Sequence, residues 1–275
     1  MTNISFKLLV GFATAYLAVL AILFVFQSRF IYPAPQTPAS LTPGYQEVEI
    51  VTEDGLALRA FYQPAEQGMP TVLYFHGNGG TLSGASVSNR ALVETGFGAL
   101  LVEYRGYGGN PGSPSEAGLY KDGIAAARWL IERGVPPHET IVIGNSIGSA
   151  VATFVAADRD NGLEEPAALI LIAPFMSLPD AAADSLWWIP ARMLVKESYD
   201  TRARLAETQL RVLIQHGDAD NIVGFRHGQT LYETAANAEF IPYAGSGHAL
   251  SFEERSQAAR RDWILGLDLG REAER

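Results

Sequence analysis

The chain has 275 residues, 48% of them apolar, enough to bury one substantial core; length alone leaves one or two domains open. Its formal net charge of −10 argues against a nucleic-acid partner. With no cysteine there is no disulfide, no thiolate metal site and no cysteine nucleophile, although this assigns no redox compartment.

Leu8 to Phe26 is nineteen residues without a charge. As a helix it is about 28 Å long, close to the roughly 30 Å hydrocarbon core of a bilayer. Lys7 and Arg29 bracket it, and Phe30 and Tyr32 follow, as interfacial anchors would. A cleaved signal peptide would need a small-x-small exit, which Gln27-Ser-Arg-Phe-Ile-Tyr-Pro33 does not offer. A buried core helix would show a polar face, and this stretch has none. The reading taken is an uncleaved single-pass anchor over residues 1–29, in a bacterial inner membrane. Its orientation is left open because the flanking charges nearly balance.

Residues 30–45 contain Pro33, Pro35, Pro38 and Pro43 and read as an extended spacer lifting a globular domain off the bilayer. That domain is expected over residues 46–270. Glu47 to Tyr62 alternates around Glu53-Asp-Gly55, a hairpin signature. Strands are then predicted at Thr71–Phe75, Ala99–Tyr104, Thr140–Ile143, Ala168–Ile172, Arg211–Gln215 and Glu239–Tyr243. Helices are predicted at Ser86–Thr95, Leu119–Arg133, Ser149–Ala157, Gln229–Ala236 and Glu253–Leu265. Short apolar strands alternating with helices predict a mostly parallel sheet covered on both faces. Chemistry in such sheets collects at the carboxyl ends of the strands.

Three strand ends carry reactive side chains. Gly144-Asn-Ser-Ile-Gly148 fits Gly-x-Ser-x-Gly between a strand and a helix, the setting of a nucleophile elbow with Ser146 at its tip. The pattern alone is weak; its context gives it force. Arg211-Val-Leu-Ile-Gln-His-Gly-Asp-Ala-Asp-Asn221 places two acids beyond the next-to-last strand, and either Asp218 or Asp220 could serve. Glu239-Phe-Ile-Pro-Tyr-Ala-Gly-Ser-Gly-His248 ends in a histidine within a glycine loop. A serine hydroxyl attacks at neutral pH only when an imidazole accepts its proton, and that imidazole needs a carboxylate to fix its tautomer. Phe75-His-Gly-Asn-Gly-Gly80 leaves backbone N–H groups free. Those of Asn78 and Ile147 are the candidate oxyanion donors. His216 reads as structural, and His138 and His227 as surface residues.

About 35 residues separate the strand before Pro174 from the one at Arg211, too many for a structureless loop, so a short helical cap is expected at about residues 176–209. Trp187, Trp188 and Ile189 are its candidates for lining an acyl pocket. They could equally pack the cap, or touch the bilayer beside the anchor.

Glu103-Tyr-Arg-Gly-Tyr-Gly-Gly-Asn-Pro-Gly112, with Tyr74-Phe-His-Gly-Asn78 and Phe30-Ile-Tyr-Pro33, resembles the Bem46-like group of α/β-hydrolase-domain proteins. These are related to serine-aminopeptidase-like and monoacylglycerol-lipase-like hydrolases. The resemblance implies the α/β-hydrolase fold and a Ser–Asp–His triad whose acid is the second aspartate of His-Gly-x-x-Asp, here Asp220. The family usually has Asp where this chain has Glu103, and often Leu in place of Ile147. The Tyr104–Gly108 loop reads as a buttress of the site, with Arg105 in an ion pair. The function expected is a membrane-anchored serine hydrolase of carboxylic esters (acylglycerols, lysolipids or acyl-thioesters), needing no metal or organic cofactor. The alternatives are a thioesterase or amidase of the same fold, or an idle membrane-tethered binding scaffold.

Overall fold

A computed structural model describes residues 3–157 and 162–269. Residue 1, where the expected anchor begins, and residue 270, where the expected domain ends, lie outside the described residues. Eight strands form one sheet: β1 Gln46–Val51, β2 Ala57–Gln63, β3 Thr71–Phe75, β4 Gly98–Val102, β5 Thr140–Asn145, β6 Ala168–Ile172, β7 Val212–Gly217 and β8 Ala238–Tyr243. Their spatial order is β1-β2-β4-β3-β5-β6-β7-β8. The hairpin β1–β2 is antiparallel and joins β4 antiparallel, while every pairing from β4 to β8 is parallel.

The helices in chain order are α1 Asn3–Ile31, α2 Leu82–Ser88, α3 Arg90–Val93, α4 Glu116–Glu132, α5 Ile147–Ala157, α6 Leu178–Ser185, α7 Ala191–Leu194, α8 Thr201–Glu207, α9 Arg226–Thr234 and α10 Glu254–Leu265. Strands β3, β4, β6 and β7 are buried at every residue, because helices cover both faces of the sheet. Side chains alternate across it. Leu73, Phe75, Val142 and Ile214 join the core under α4, α5, α8 and α9. Val72, Tyr74, Ile143 and Leu213 join the core under α2, α3 and α10.

Local chemistry sets the element ends. Ser115 caps α4 by accepting the Gly118 N–H at 3.1 Å, and Thr81 caps α2 through Gly84 at 3.2 Å. The single helix predicted over Ser86–Thr95 is two helices. Asn89 breaks it, its amide donating back to the Ala85 carbonyl at 2.9 Å. The stretch after β6 carries three short helices, α6 to α8, of which α8 packs on α5 and α9.

Residues Ser5–Ile31 of α1 form an apolar run of 27 residues with a mean hydropathy of 2.6 in its core window, none of it buried. Length and composition make it a candidate membrane span. The segment after it is extended, as its prolines dictate, but it is not a free spacer. The Tyr32 and Tyr199 hydroxyls share a hydrogen bond of 2.7 Å. Gly108 N–H donates to Pro35 O at 2.7 Å, and Arg59 Nη2 reaches Ala39 O at 3.3 Å. These contacts dock residues 32–39 on the domain.

Arg260 of α10 is fully buried, and its hydrogen-bond acceptors are uncharged oxygens: Ser88 O at 2.7 Å, Ser251 O at 3.3 Å, Ser256 Oγ at 3.3 Å and Gln215 Oε1 at 3.4 Å. Burial pulls its pKa down to about 10, so it remains a cation at neutral pH. It clamps α10 to the end of α2 and to the turn that follows His248. Arg260→Ala would empty that volume and leave buried carbonyls unpaired. It is expected to lower the free energy of unfolding by about 3 kcal/mol, read by urea denaturation; a loss below about 1 kcal/mol would contradict the clamp.

Candidate active site

β5 runs into α5 through a sharp turn. Ser146, between them, has φ 53°, the left-handed region that side chains other than glycine seldom occupy. The turn is closed by backbone contact on both sides. A Cβ on Gly144 would lie 2.1 Å from Gly148 O, and one on Gly148 would lie 2.2 Å from Phe75 O. No side chain relieves a clash with backbone, so glycine is required at both positions. Ser146 N–H is held by Ile172 O at 2.8 Å, fixing the elbow on β6.

The sheet order brings the other two side chains to the same edge. Asp220 follows β7, and its Oδ1 accepts the backbone N–H groups of Ile222 and Val223, each at 2.9 Å. Its Oδ2 lies 2.7 Å from His248 Nδ1. His248 Nε2 lies 3.0 Å from Ser146 Oγ. Burial would raise the Asp220 carboxyl, but hydrogen bonds from His216, His248 and Val223 hold it well below the usual carboxylate range. An ionised Asp220 accepts only, so His248 carries its proton on Nδ1 and leaves Nε2 free to accept from Ser146. Asp218 is elsewhere: it accepts the Gly245 N–H at 2.7 Å and closes the β8 loop. His216 is buried with Nε2 donating to Val223 O at 2.9 Å, a structural role.

The loop after β3 lies across the elbow. His76 is buried, with Nδ1 2.8 Å from Gly77 O and Nε2 2.8 Å from Glu103 Oε1. Tyr104 OH donates to His76 O at 3.0 Å, and Tyr107 OH to Asn78 Oδ1 at 3.1 Å. The backbone N–H groups of Asn78 and Ile147 have no hydrogen-bond partner among the described residues. Glu103 fits because Gly108 faces it; a Cβ there would stand 2.7 Å from Glu103 Oε2. Arg105 pairs with Asp54 and Asp122, each at 2.8 Å, and locks the buttressing loop to α4.

Ser146, His248 and Asn78 open onto a cleft of about 310 Å³, whose apolar wall includes Ala85, Ile222 and Phe252. A larger cleft of about 680 Å³ lies between β1 and α4, but it is lined by no serine, histidine or cysteine. Chemistry, rather than size, selects the smaller one. Trp187, Trp188 and Ile189 do not line it. Trp187 is 83% exposed, and the Trp188 carbonyl accepts from Tyr16 of α1 at 3.0 Å. Their α6–α7 turn is held beside α1, away from the cleft. Of the three readings left open for these residues, the lining of this cleft gives no support to the acyl pocket. His138 is exposed, but His227 is not the surface residue expected. It is fully buried in α9, with Nε2 3.1 Å from Asp184 and Nδ1 accepting from Met176 N–H at 3.3 Å. Its polar, helical surroundings in the sequence conceal that α6 folds over it. Phe252 and Ile222 were missed because lone apolar residues in loops carry no periodic signal.

A family model described as the alpha/beta hydrolase fold matches residues 70–211. An uncharacterized protein of Mycobacterium tuberculosis (strain ATCC 25618 / H37Rv) is 37% identical over 231 residues, covering 81% of this chain and 80% of its own. Protein bem46 of Schizosaccharomyces pombe is 33% identical over 178 residues, 60% of this chain and 58% of its own. The lysophosphatidylserine lipase ABHD12 of Danio rerio is 29% identical over 200 residues, 64% of this chain and 52% of its own. Among solved structures, an alpha-beta hydrolase from Vibrio vulnificus aligns with a TM-score of 0.74 at 22% identity, covering 87% of this chain and 91% of that one. The chain belongs to the α/β-hydrolase family, as a Bem46-like hydrolase.

Proposed function

We propose that the protein is a membrane-anchored serine hydrolase that cleaves carboxylic esters through an acyl-enzyme. The observation that carries the reading is the unbroken relay from Ser146 Oγ to His248 Nε2 at 3.0 Å and from His248 Nδ1 to Asp220 at 2.7 Å. Ser146 attacks the acyl carbonyl while His248 takes its proton; Asp220 holds the imidazole in the right tautomer and stabilises its charged form. The N–H groups of Asn78 and Ile147 receive the oxyanion. His248 then returns the proton to the leaving alcohol. Water, activated by the same imidazole, attacks the acyl-enzyme and releases the acid and Ser146.

The substrate is proposed to be an amphiphilic ester, acylglycerol or lysophospholipid. The supports are the apolar wall of the cleft, the apolar α1 and the lipase named among the relatives. The proposed location is a bacterial inner membrane, with α1 as the anchor. The 1–29 anchor, 30–45 linker and 46–270 domain with its 176–209 segment are retained as the proposed organisation, the linker being docked. A thioesterase or amidase would use the same relay, and no feature of the cleft favours either. An idle scaffold has no need of this geometry.

Ser146→Ala is expected to keep its near-UV circular dichroism while losing p-nitrophenyl ester hydrolysis and labelling by a fluorophosphonate probe. Undiminished hydrolysis would overturn the mechanism. Asp220→Asn should lower kcat by about 10³- to 10⁴-fold, since the histidine then meets an amide in place of a carboxylate. Asp218→Asn should stay within threefold of the parent; the opposite ranking in steady-state assays would reassign the acid. The depressed Asp220 carboxyl also sets a sign. Its ion pairing stabilises the fold above the unfolded aspartate value of about 3.9 and is lost as pH falls through the lower folded value. In pH-dependent urea denaturation, Asp220→Asn should therefore flatten the stability loss below about pH 4.

A further inference from the structure

The α6–α7 turn and the segment after it are built against α1 rather than against the cleft. Tyr16 OH donates to Trp188 O at 3.0 Å. Eleven residues further along α1, Gln27 bridges the same segment, its Nε2 donating to Leu194 O at 3.3 Å and its Oε1 accepting Lys196 N–H at 2.8 Å. Lys196 Nζ sits 4.2 Å from the centre of the Phe24 ring. Residues 188–196 therefore track α1 over about 16 Å, roughly half the thickness of a hydrocarbon core.

The face this segment turns outward is apolar. Trp187 is 83% exposed, Met193 84% and Trp188 45%. Between residues 186 and 195 the only charge is Arg192, whose Nε pairs with Asp180 at 2.8 Å. In water such a face would be costly. It is continuous with the lipid-length surface of α1, where Leu17, Ile22 and Val25 are also exposed. Arg192 and Lys196 have stems long enough to reach a headgroup layer.

We infer that residues 186–195 are sunk among the acyl chains of the leaflet beside α1, making the turn a second, monotopic membrane contact of the domain. The occupant is lipid. The hydrogen bonds to Tyr16 and Gln27 fix the turn at the depth of the helix, so whatever solvates that part of α1 solvates the turn too. The inference rests on the reading of α1 as a membrane span.

The chain has no cysteine, so a single introduced thiol takes a nitroxide label without interference. Met193→Cys reports the turn, Leu17→Cys reports α1, and Val87→Cys, 48% exposed on α2, reports the aqueous side. The full chain is reconstituted into phosphatidylcholine–phosphatidylglycerol vesicles, and the accessibility of each label to oxygen and to a water-soluble nickel chelate is measured. Near-UV circular dichroism of each variant verifies the fold independently of activity. The expected result is an oxygen-to-nickel ratio at 193 severalfold above that at 87 and comparable with that at 17. A lipid-like ratio at 17 with a water-like ratio at 193 would overturn the inference and leave the anchor standing. A water-like ratio at 17 would overturn both. Spin–spin broadening at 193 would mean that a second copy of the chain covers the turn, and would also overturn it.

Discussion

The whole site depends on a backbone contact with no room to spare. The first turn of α5 presses on the end of β5 and on the Phe75 carbonyl so closely that Gly144 and Gly148 admit no methyl group. This close approach tips Ser146 into its left-handed conformation and aims its hydroxyl out of the sheet. It also brings the start of α5 beside the loop after β3, where the Ile147 and Asn78 amides have no partner among the described residues. Asn78 is exposed, so its amide can turn to solvent, whereas Ile147 is buried, and an unpaired buried N–H group is ordinarily unfavourable. An anion developing beside Ser146 would satisfy both.

The second requirement is that two loops distant in sequence end at one place. Parallel pairing of β7 with β8 aligns their carboxyl ends, so Asp220 and His248 arrive as neighbours. Their loops are secured separately. The backbone N–H groups of Ile222 and Val223 hold the carboxylate of Asp220. Asp218 ties the β7 loop to Gly245, and Arg260 grips the Ser251 turn just beyond the imidazole. Among the described residues the cation at Arg260 has no acid beside it, yet carbonyl dipoles from three elements converge on it. Such an arrangement specifies one docking of α10 rather than merely holding it to the sheet.

The strands were legible because a parallel sheet buried on both faces writes continuous apolar runs, and Thr71–Phe75 and Ala168–Ile172 coincide with β3 and β6. The elbow was legible because glycine spacing reports steric necessity. Residue type and spacing alone leave Asp218 and Asp220 equivalent as loop aspartates; the family resemblance points to Asp220, and in the fold it is Asp220 that meets an imidazole. His227 was misread as a surface residue because its burial comes from α6, more than forty positions away. Trp187 and Trp188 stayed open between pocket, cap and bilayer for the opposite reason. Large aromatics suggest an interior, but an unburied helix elsewhere in the chain had already claimed their neighbourhood. Sequence periodicity registers how an element meets the core, and it is silent about elements that meet each other outside it.

The docked linker changes the mechanics of the molecule. Tyr32 is joined to Tyr199, and the Pro35 and Ala39 carbonyls are stitched to the loop after β4 and to β2. A polymer tether would let the catalytic body tumble, so that its mouth sampled every direction within reach. A strut does not. The tilt and azimuth of the Ser146 opening relative to the α1 axis are set by the same contacts that fold the chain, and an ester must approach along the one bearing this rigid mounting presents.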